Sequence, residues 1–220
     1  TVASTNFVAP HDVYAHRALL ELDRHVSRVD CGIVAGPSPR TNACLWLSVV
    51  AGLAHLKRPV HSVPDVDILQ RLAPFLERIA GQPVTTLQCA HRKTPRVDPL
   101  GIAADILRSK ACDDMLTDLG VERWLPFFAQ LVGNVNSPEG NGVTVQQYRQ
   151  HVAALRVHAF ADQINLVQIA SMLRIRIVFI PERSDWPIQR INPTATSEII
   201  LGNNDAHYVW LQRLPQEIVP

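Results

Sequence analysis

The amino-acid sequence predicts an α+β fold, with helices first and a small sheet last. Apolar residues recur at helical spacing through most of the chain before residue 174. The segments "IRIVFIP" (175–181), "SEIILG" (197–202) and "HYVWLQ" (207–212) are instead rich in β-branched and aromatic residues, which favour strands. Strands and helices do not alternate as a parallel α/β fold requires. We therefore expect helices packed on a small, mostly antiparallel C-terminal sheet.

The N-terminal part is predicted to form three helices. The first covers 11–28, with an apolar stripe at Val13, Leu19, Leu20 and Val26. Glycines and prolines within 32–39 then predict a loop. The second helix covers 44–56 and is apolar on nearly all sides, which indicates a buried central helix. The third covers 65–80 and ends before Gly81.

Residues 85–142 are predicted to be a variable helical insertion within a single domain that spans 1–220. Asp98 and Pro99 mark a helix start, because Asp caps a helix well and Pro fits its first turn. A short apolar helix that Pro126 starts or interrupts follows. The insertion borders the predicted core on both sides.

Two further helices lead into the predicted sheet. Thr144 and Gln147 form a T-x-x-Q capping box, and Asp162 is placed to cap the next helix. The inner side of that last helix carries Leu166, Ile169, Ala170 and Leu173. The turn "NNDA" separates the last two predicted strands.

Charge and composition argue against several classes of partner. The net charge is +1, and the densest basic patch, "HRKTPR" at 91–96, is short. We therefore expect neither a nucleic acid nor a membrane surface as partner. No apolar run reaches the roughly 18 residues that a membrane span needs. The chain begins with Thr, so we expect a piece of a longer protein that is monomeric by itself.

The cysteine pattern predicts free thiols in a reducing, intracellular environment. The four cysteines, at positions 31, 44, 89 and 112, form no C-x-x-C pair, and a domain of this size needs no disulfide to be stable. Cys89, His91 and Cys112 lack the paired spacing of a zinc site. We predict no metal and no cofactor.

Cys44 and His207 are the residues on which nucleophilic chemistry could be built. Cys44 heads the predicted central helix, whose N-terminus carries partial positive charge and free N–H groups that stabilise a thiolate. His207 opens the last strand, where a sheet could hold its imidazole towards a cleft. On these features alone a catalytic pair competes with a second interpretation, a small core cysteine and a structural histidine.

Three motifs in order resemble the ovarian-tumour (OTU) family of papain-like cysteine proteases, most of which are deubiquitinases. "TNACLWLSVV" is similar to the nucleophile motif D-G-N-C-L-F/W at Cys44, Leu45 and Trp46. The segment 148–180 repeats the family's layout of a helix, a break, a helix and a strand. "SEIILGNNDAHYVWL" matches its strand, polar turn and "H-Y" at His207 and Tyr208. The resemblance covers about 31–80 and 144–213.

The resemblance implies that Cys44 is the nucleophile and His207 the base, with an oxyanion hole made by Thr41, Asn42 and Ala43. The family's acid lies three residues before the cysteine or two after the histidine, where this chain has Thr41 and Val209. Asp205 is the orienting acid that we favour. The alternatives are Asp30 or another distant acid, a Cys–His dyad, or the neutral side chains of Asn42, Asn203 and Asn204.

The activity implied is hydrolysis of the isopeptide bond at the C-terminus of ubiquitin or a ubiquitin-like modifier, in the cytoplasm. That would be the host cytoplasm for a viral or bacterial effector domain. Trp46, Tyr208 and Trp210 are candidates for the walls of a narrow cleft, and 85–142 for a ubiquitin-contacting arm. Two alternatives are a protease of the same fold that cleaves a polyprotein or another peptide substrate, and an inactive ubiquitin-binding domain. A third is a purely structural domain.

Overall fold

The computed structural model describes residues 12–31, 42–56, 67–88, 98–131, 142–157, 159, 161–204 and 207–215. The helices in these ranges are α1 (Val13–Leu22), α2 (Cys44–Ala54), α3 (Asp67–Ala80), α4 (Pro99–Leu116), α5 (Asp118–Leu131), α6 (Val145–Val157) and α7 (Gln163–Met172). The strands are β1 (Val26–Val29), β2 (Arg176–Pro181), β3 (Gln189–Ile191), β4 (Glu198–Asn203) and β5 (Tyr208–Arg213). The chain is α+β, as predicted.

The first predicted helix is shorter than expected and is followed by a strand. Asp23 takes a left-handed conformation and caps α1, and Val26 then begins β1. The predicted apolar stripe is also wrong, since Leu19 and Leu20 are exposed, whereas the other side of α1 is buried. Helical spacing misled here because β1 gains its stability from pairing with β5, which local sequence does not reveal.

Helix α2 is the centre of the core, as its all-round apolar character predicted. Each residue from Cys44 to Leu53 is buried. Gly52 lies so close to the sheet that an added Cβ would come within 3.0 Å of Ile199 and 3.3 Å of Trp210. The sequence therefore places its smallest residue where the helix and the sheet approach most closely. No helix of the described ranges is long and apolar enough to cross a membrane.

The five strands form one sheet in the order β1-β5-β4-β2-β3, and only the β2–β4 pair is parallel. Side chains along the strands alternate between the two faces of the sheet. Ile199, Leu201 and Trp210 belong to the large core around α2. Ile200, Val209 and Leu211 face a smaller cluster that includes Tyr14 of α1. The sheet thus lies between α1 and the remaining helical body, with β5 near its middle.

Helices α4 and α5 lie within 85–142, the region that we predicted as a variable insertion. Asp98 caps α4 as predicted, since its carboxylate accepts the N–H of Leu100 at 3.1 Å. Leu100 and Leu107 are fully buried and share one apolar cluster with α2. Helix α5 continues through Pro126 without interruption. Much of this region is therefore part of the core, and its contact with ubiquitin stays a prediction.

The two predicted caps before α6 and α7 are confirmed. The Thr144 N–H donates to the side chain of Gln147 at 2.8 Å, and the Gln147 N–H donates to the Thr144 hydroxyl at 3.2 Å. Asp162 and Asn165 make the equivalent reciprocal pair at α7. Together they fix where each helix begins before the chain enters β2.

Candidate active site

The N-terminus of α2 has a backbone conformation suited to an anion. Asn42 is left-handed, with φ 58°, and Ala43 follows with φ −90° and ψ 6°. Asn tolerates this conformation better than most residues. A left-handed residue followed by a right-handed one turns successive N–H groups towards one concavity. The N–H groups of residues 42–44 can therefore act together on a developing negative charge.

Cys44 is the first residue of α2 and is 5% exposed. Cys44, Cys31 and Cys112, the described cysteines, form no disulfide. Burial raises the pKa of the Cys112 thiol to about 11, so Cys112 is an unreactive core residue. Cys44 differs from Cys112 in lying at a helix N-terminus beside an imidazole.

His207 and Asp30 meet because β1 and β5 are neighbours. The β1–β5 ladder ends at the pair Val29 and Trp210. Asp30 is the residue after β1, and His207 is the residue before β5. The imidazole Nε2 lies 2.8 Å from the Asp30 carboxylate Oδ1. Among the described residues, Asp30, one of the alternative acids predicted from the sequence, is thus the carboxylate in contact with His207.

The imidazole lies between this carboxylate and the Cys44 thiol. Its hydrogen bond to Asp30, and then its hydrogen bond to Cys44, raise the pKa of His207 to about 9, although burial opposes the shift. The environment therefore favours an imidazolium at neutral pH. Since Nε2 faces Asp30, Nδ1 is the nitrogen left for the thiol.

The backbone of Tyr208 joins the start of β5 to α2. Its N–H donates to Cys44 Sγ at 3.5 Å, and its carbonyl accepts the Ser48 hydroxyl at 3.2 Å. Ser48 follows Cys44 by one helical turn, on the same side of α2. A second partner of Asp30 is Arg28, whose guanidinium lies 3.6 Å from Oδ2.

The structure describes some of the remaining predicted site residues and not others. Thr41 and Asp205 lie outside the described residues, so their roles stay predictions. Asn42 and Ala43 lie at the start of α2, as the oxyanion-hole prediction requires. Asn203 donates to the backbone carbonyl of His207 at 3.4 Å, so this contact does not orient the imidazole.

The structure places two of the predicted cleft walls, the tryptophans, in the core. Trp46 is fully buried, and Tyr208 and Trp210 are nearly so. Trp210 stacks on His55, with ring centroids 4.8 Å apart, at the end of α2 opposite Cys44. His55 lies eleven positions after Cys44, which is about 16 Å along the axis of an α-helix. The two tryptophans anchor α2 in the core and cannot line a cleft at Cys44.

Ser48 is not among the residues predicted from the sequence, and Asp30 is one of several acids that the sequence leaves open. A signal for Ser48 existed, because it is the one hydroxyl in the otherwise apolar segment from Cys44 to Ala54. No such signal marks Asp30, whose position depends on the pairing of β1 with β5. Among the described residues, no group of three or more His, Cys, Asp or Glu is arranged to hold a metal ion.

No family model matches the chain, and no curated protein matches its sequence. Among solved structures, it is similar to a chain in "The structure of h/ceOTUB1-ubiquitin aldehyde-UBC13~Ub", at 15% identity and a TM-score of 0.44, over 79% of this chain and 74% of that one. A chain in the corresponding UBCH5B~Ub structure matches at 14% identity and 0.43, with the same coverage. A chain in a ceOTUB1 ubiquitin aldehyde UBC13~Ub complex matches at 16% and 0.41, over 80% and 78%.

Proposed function

We propose that this chain is an OTU-type thiol deubiquitinase that hydrolyses the isopeptide bond at the C-terminus of ubiquitin. The observation that carries the proposal is the contact of His207 with both Cys44 and Asp30 at the start of α2. Two of the three sequence motifs that resemble the OTU family lie on the elements that bring Cys44 and His207 together, since one opens α2 and the other leads into β5. Geometry supports a thiol hydrolase, and the motifs support ubiquitin as substrate.

The proposed reaction begins with the Cys44 thiolate and the His207 imidazolium. The thiolate attacks the carbonyl carbon of the terminal glycine, and the displaced electron pair resides on the carbonyl oxygen, facing the N–H groups of residues 42–44. As the C–N bond breaks, His207 gives its proton to the departing lysine amine, which leaves a thioester on Cys44.

Water then completes the cycle. His207, now neutral, takes a proton from the water that attacks the thioester carbonyl. The C–S bond breaks, ubiquitin leaves with a free carboxylate, and the thiolate and imidazolium are restored. Asp30 keeps the imidazole in one orientation and stabilises its charged form throughout.

The position of Asp30 also favours an active enzyme over the inactive ubiquitin-binding alternative. A domain that kept the fold only for binding would have no need of a carboxylate 2.8 Å from the imidazole. Asp30, the residue after β1, thereby takes the role of the acid that the family carries at the positions of Thr41 and Val209. The polyprotein-processing alternative would use the same residues and differs only in substrate.

The test is covalent capture by ubiquitin that carries a C-terminal electrophile. We expect a stoichiometric adduct with the wild type and none with Cys44→Ala, whereas Cys112→Ala, a matched loss of a buried thiol, should react normally. An adduct that persists in Cys44→Ala would refute the assignment of the nucleophile. No adduct from a folded wild type would reject ubiquitin as the substrate.

A further inference from the structure

Among the described residues, the strand pairing on one side of β5 stops short of Tyr208. Main-chain groups of successive residues in an antiparallel strand point alternately to its two neighbours. The Asn204 N–H donates to the His207 carbonyl, so residue 207 faces the β4 side and Tyr208 faces the β1 side. The β1–β5 ladder, however, ends at Val29 and Trp210.

Side chains of helix α2 provide hydrogen-bond partners for the main chain of Tyr208. Cys44 Sγ accepts the Tyr208 N–H at 3.5 Å, and the Ser48 hydroxyl donates to the Tyr208 carbonyl at 3.2 Å. Both backbone groups are buried, where an unpaired group is costly. Two side chains one helical turn apart therefore hold one residue of β5, and that residue is the neighbour of His207.

We propose that Ser48 is a positioning residue for the thiol–imidazole pair. By holding the Tyr208 carbonyl, it fixes the start of β5 against α2. That keeps the Tyr208 N–H directed at Cys44 Sγ, where it favours the thiolate, and keeps the His207 imidazole in reach of the same sulfur. Its effect on turnover rests on the proposed function, whereas its effect on the thiol does not.

Packing within α2 does not by itself call for a serine at this position. Ser48 is fully buried among apolar neighbours on α2, and an alanine would fill nearly the same space without a hydroxyl to satisfy. The Ser48 hydroxyl donates to the carbonyl of Tyr208, which lies across the helix–sheet boundary and 160 residues later in sequence. The contact thus links the helix that carries the nucleophile to the strand that carries the base.

The experiment compares Ser48→Ala with Val49→Ala, a cavity-forming change at the next, equally buried residue of α2. The rate at which iodoacetamide modifies Cys44 is measured from pH 5 to 9 by mass spectrometry of the Cys44 peptide, and the thermal midpoint is measured by circular dichroism. For Ser48→Ala we expect alkylation at pH 6 to slow about fivefold, and the pH midpoint of alkylation to rise. Val49→Ala should lower the thermal midpoint at least as much and leave the pH midpoint unchanged.

Ser48→Thr provides the conservative control, because it restores the hydroxyl, and it should recover the wild-type pH midpoint even if stability falls. Equal pH midpoints in the wild type and Ser48→Ala, or equal shifts in Ser48→Ala and Val49→Ala, would overturn the proposal. Failure of the ubiquitin adduct in the wild type would reject the proposed function alone, since the alkylation profile uses no ubiquitin.

Discussion

Two carboxylates at the sheet differ in their partners. Asp30, whose side chain is 26% exposed, contacts the imidazole of His207 at 2.8 Å and the guanidinium of Arg28 at 3.6 Å. Glu198 begins β4 and is 9% exposed. It receives three guanidiniums, from Arg24, from Arg176 at 3.3 Å and from Arg213 at 2.6 Å.

The difference lies in what the partners can do with a proton. Arginine stays charged at any accessible pH, so the Glu198 cluster is a permanent set of ion pairs that joins the end of α1 to β2, β4 and β5. Histidine can release its proton, so the pair of Asp30 and His207 can take part in a reaction cycle. Glu198 holds strands together, whereas Asp30 orients the His207 imidazole.

Among the tests of this contrast, Asp30→Ala is expected to have the largest effect. Without the carboxylate the imidazole loses its orientation and its charged form loses stabilisation, so the rate of ubiquitin adduct formation should fall roughly 10²- to 10⁴-fold. The measurement is the second-order rate constant for the electrophilic ubiquitin probe, with circular dichroism to verify folding.

Asp205→Ala is the matched control for this experiment, because Asp205 is the acid that sequence analysis favoured. We expect its rate to stay within about twofold of the wild type. The opposite result, a normal rate for Asp30→Ala and a large loss for Asp205→Ala, would transfer the orienting role to Asp205.

A second test uses pH. The pKa of His207 is about 9 in the folded chain, above the ordinary histidine value of about 6.5 that we take for the unfolded chain. Its protonated form therefore contributes stability that is complete below about pH 6.5 and is lost as the pH rises through 9.

We expect the difference in unfolding free energy between the wild type and His207→Ala to shrink by about 3 kcal/mol between pH 6 and pH 9.5. Urea unfolding at the two pH values measures it. A difference that stays constant would mean that His207 is not held as an imidazolium.

The smallest of the three effects is expected for Glu198→Gln. This change leaves three arginines without their shared counterion, but each is partly exposed, so solvent screens much of the cost. We expect a loss of about 2 kcal/mol in unfolding free energy. The probe rate per folded molecule should stay unchanged, and a large loss of rate would show that the two carboxylates are coupled.

Much of the fold could be predicted because its signals are local. Capping residues at Asp98, Thr144 and Asp162 marked three helix starts. The apolar character of 44–56 revealed the central helix. The prediction failed for β1, since its four residues are stabilised by β5, almost two hundred residues later.

The site was predictable only in part for the same reason. Cys44 and His207 stand in recognisable local motifs, and the structure brings them together. The acid does not stand in a motif, because Asp30 reaches His207 through strand pairing. Trp46 and Trp210 lie in the core because an aromatic residue near a site residue in sequence can point to the other side of a helix or strand.

The position of β5 between β1 and β4 has a consequence for the order in which this domain matures. During synthesis Cys44 is made about 160 residues before the histidine and the backbone amide that it needs. Until β5 arrives, β1 and β4 are separate edges, and contacts of such long sequence separation form late in folding. A nascent or C-terminally shortened chain therefore carries the Cys44 thiol without the His207 imidazole and the Tyr208 N–H, and the proposed site forms only when β5 pairs with its neighbours.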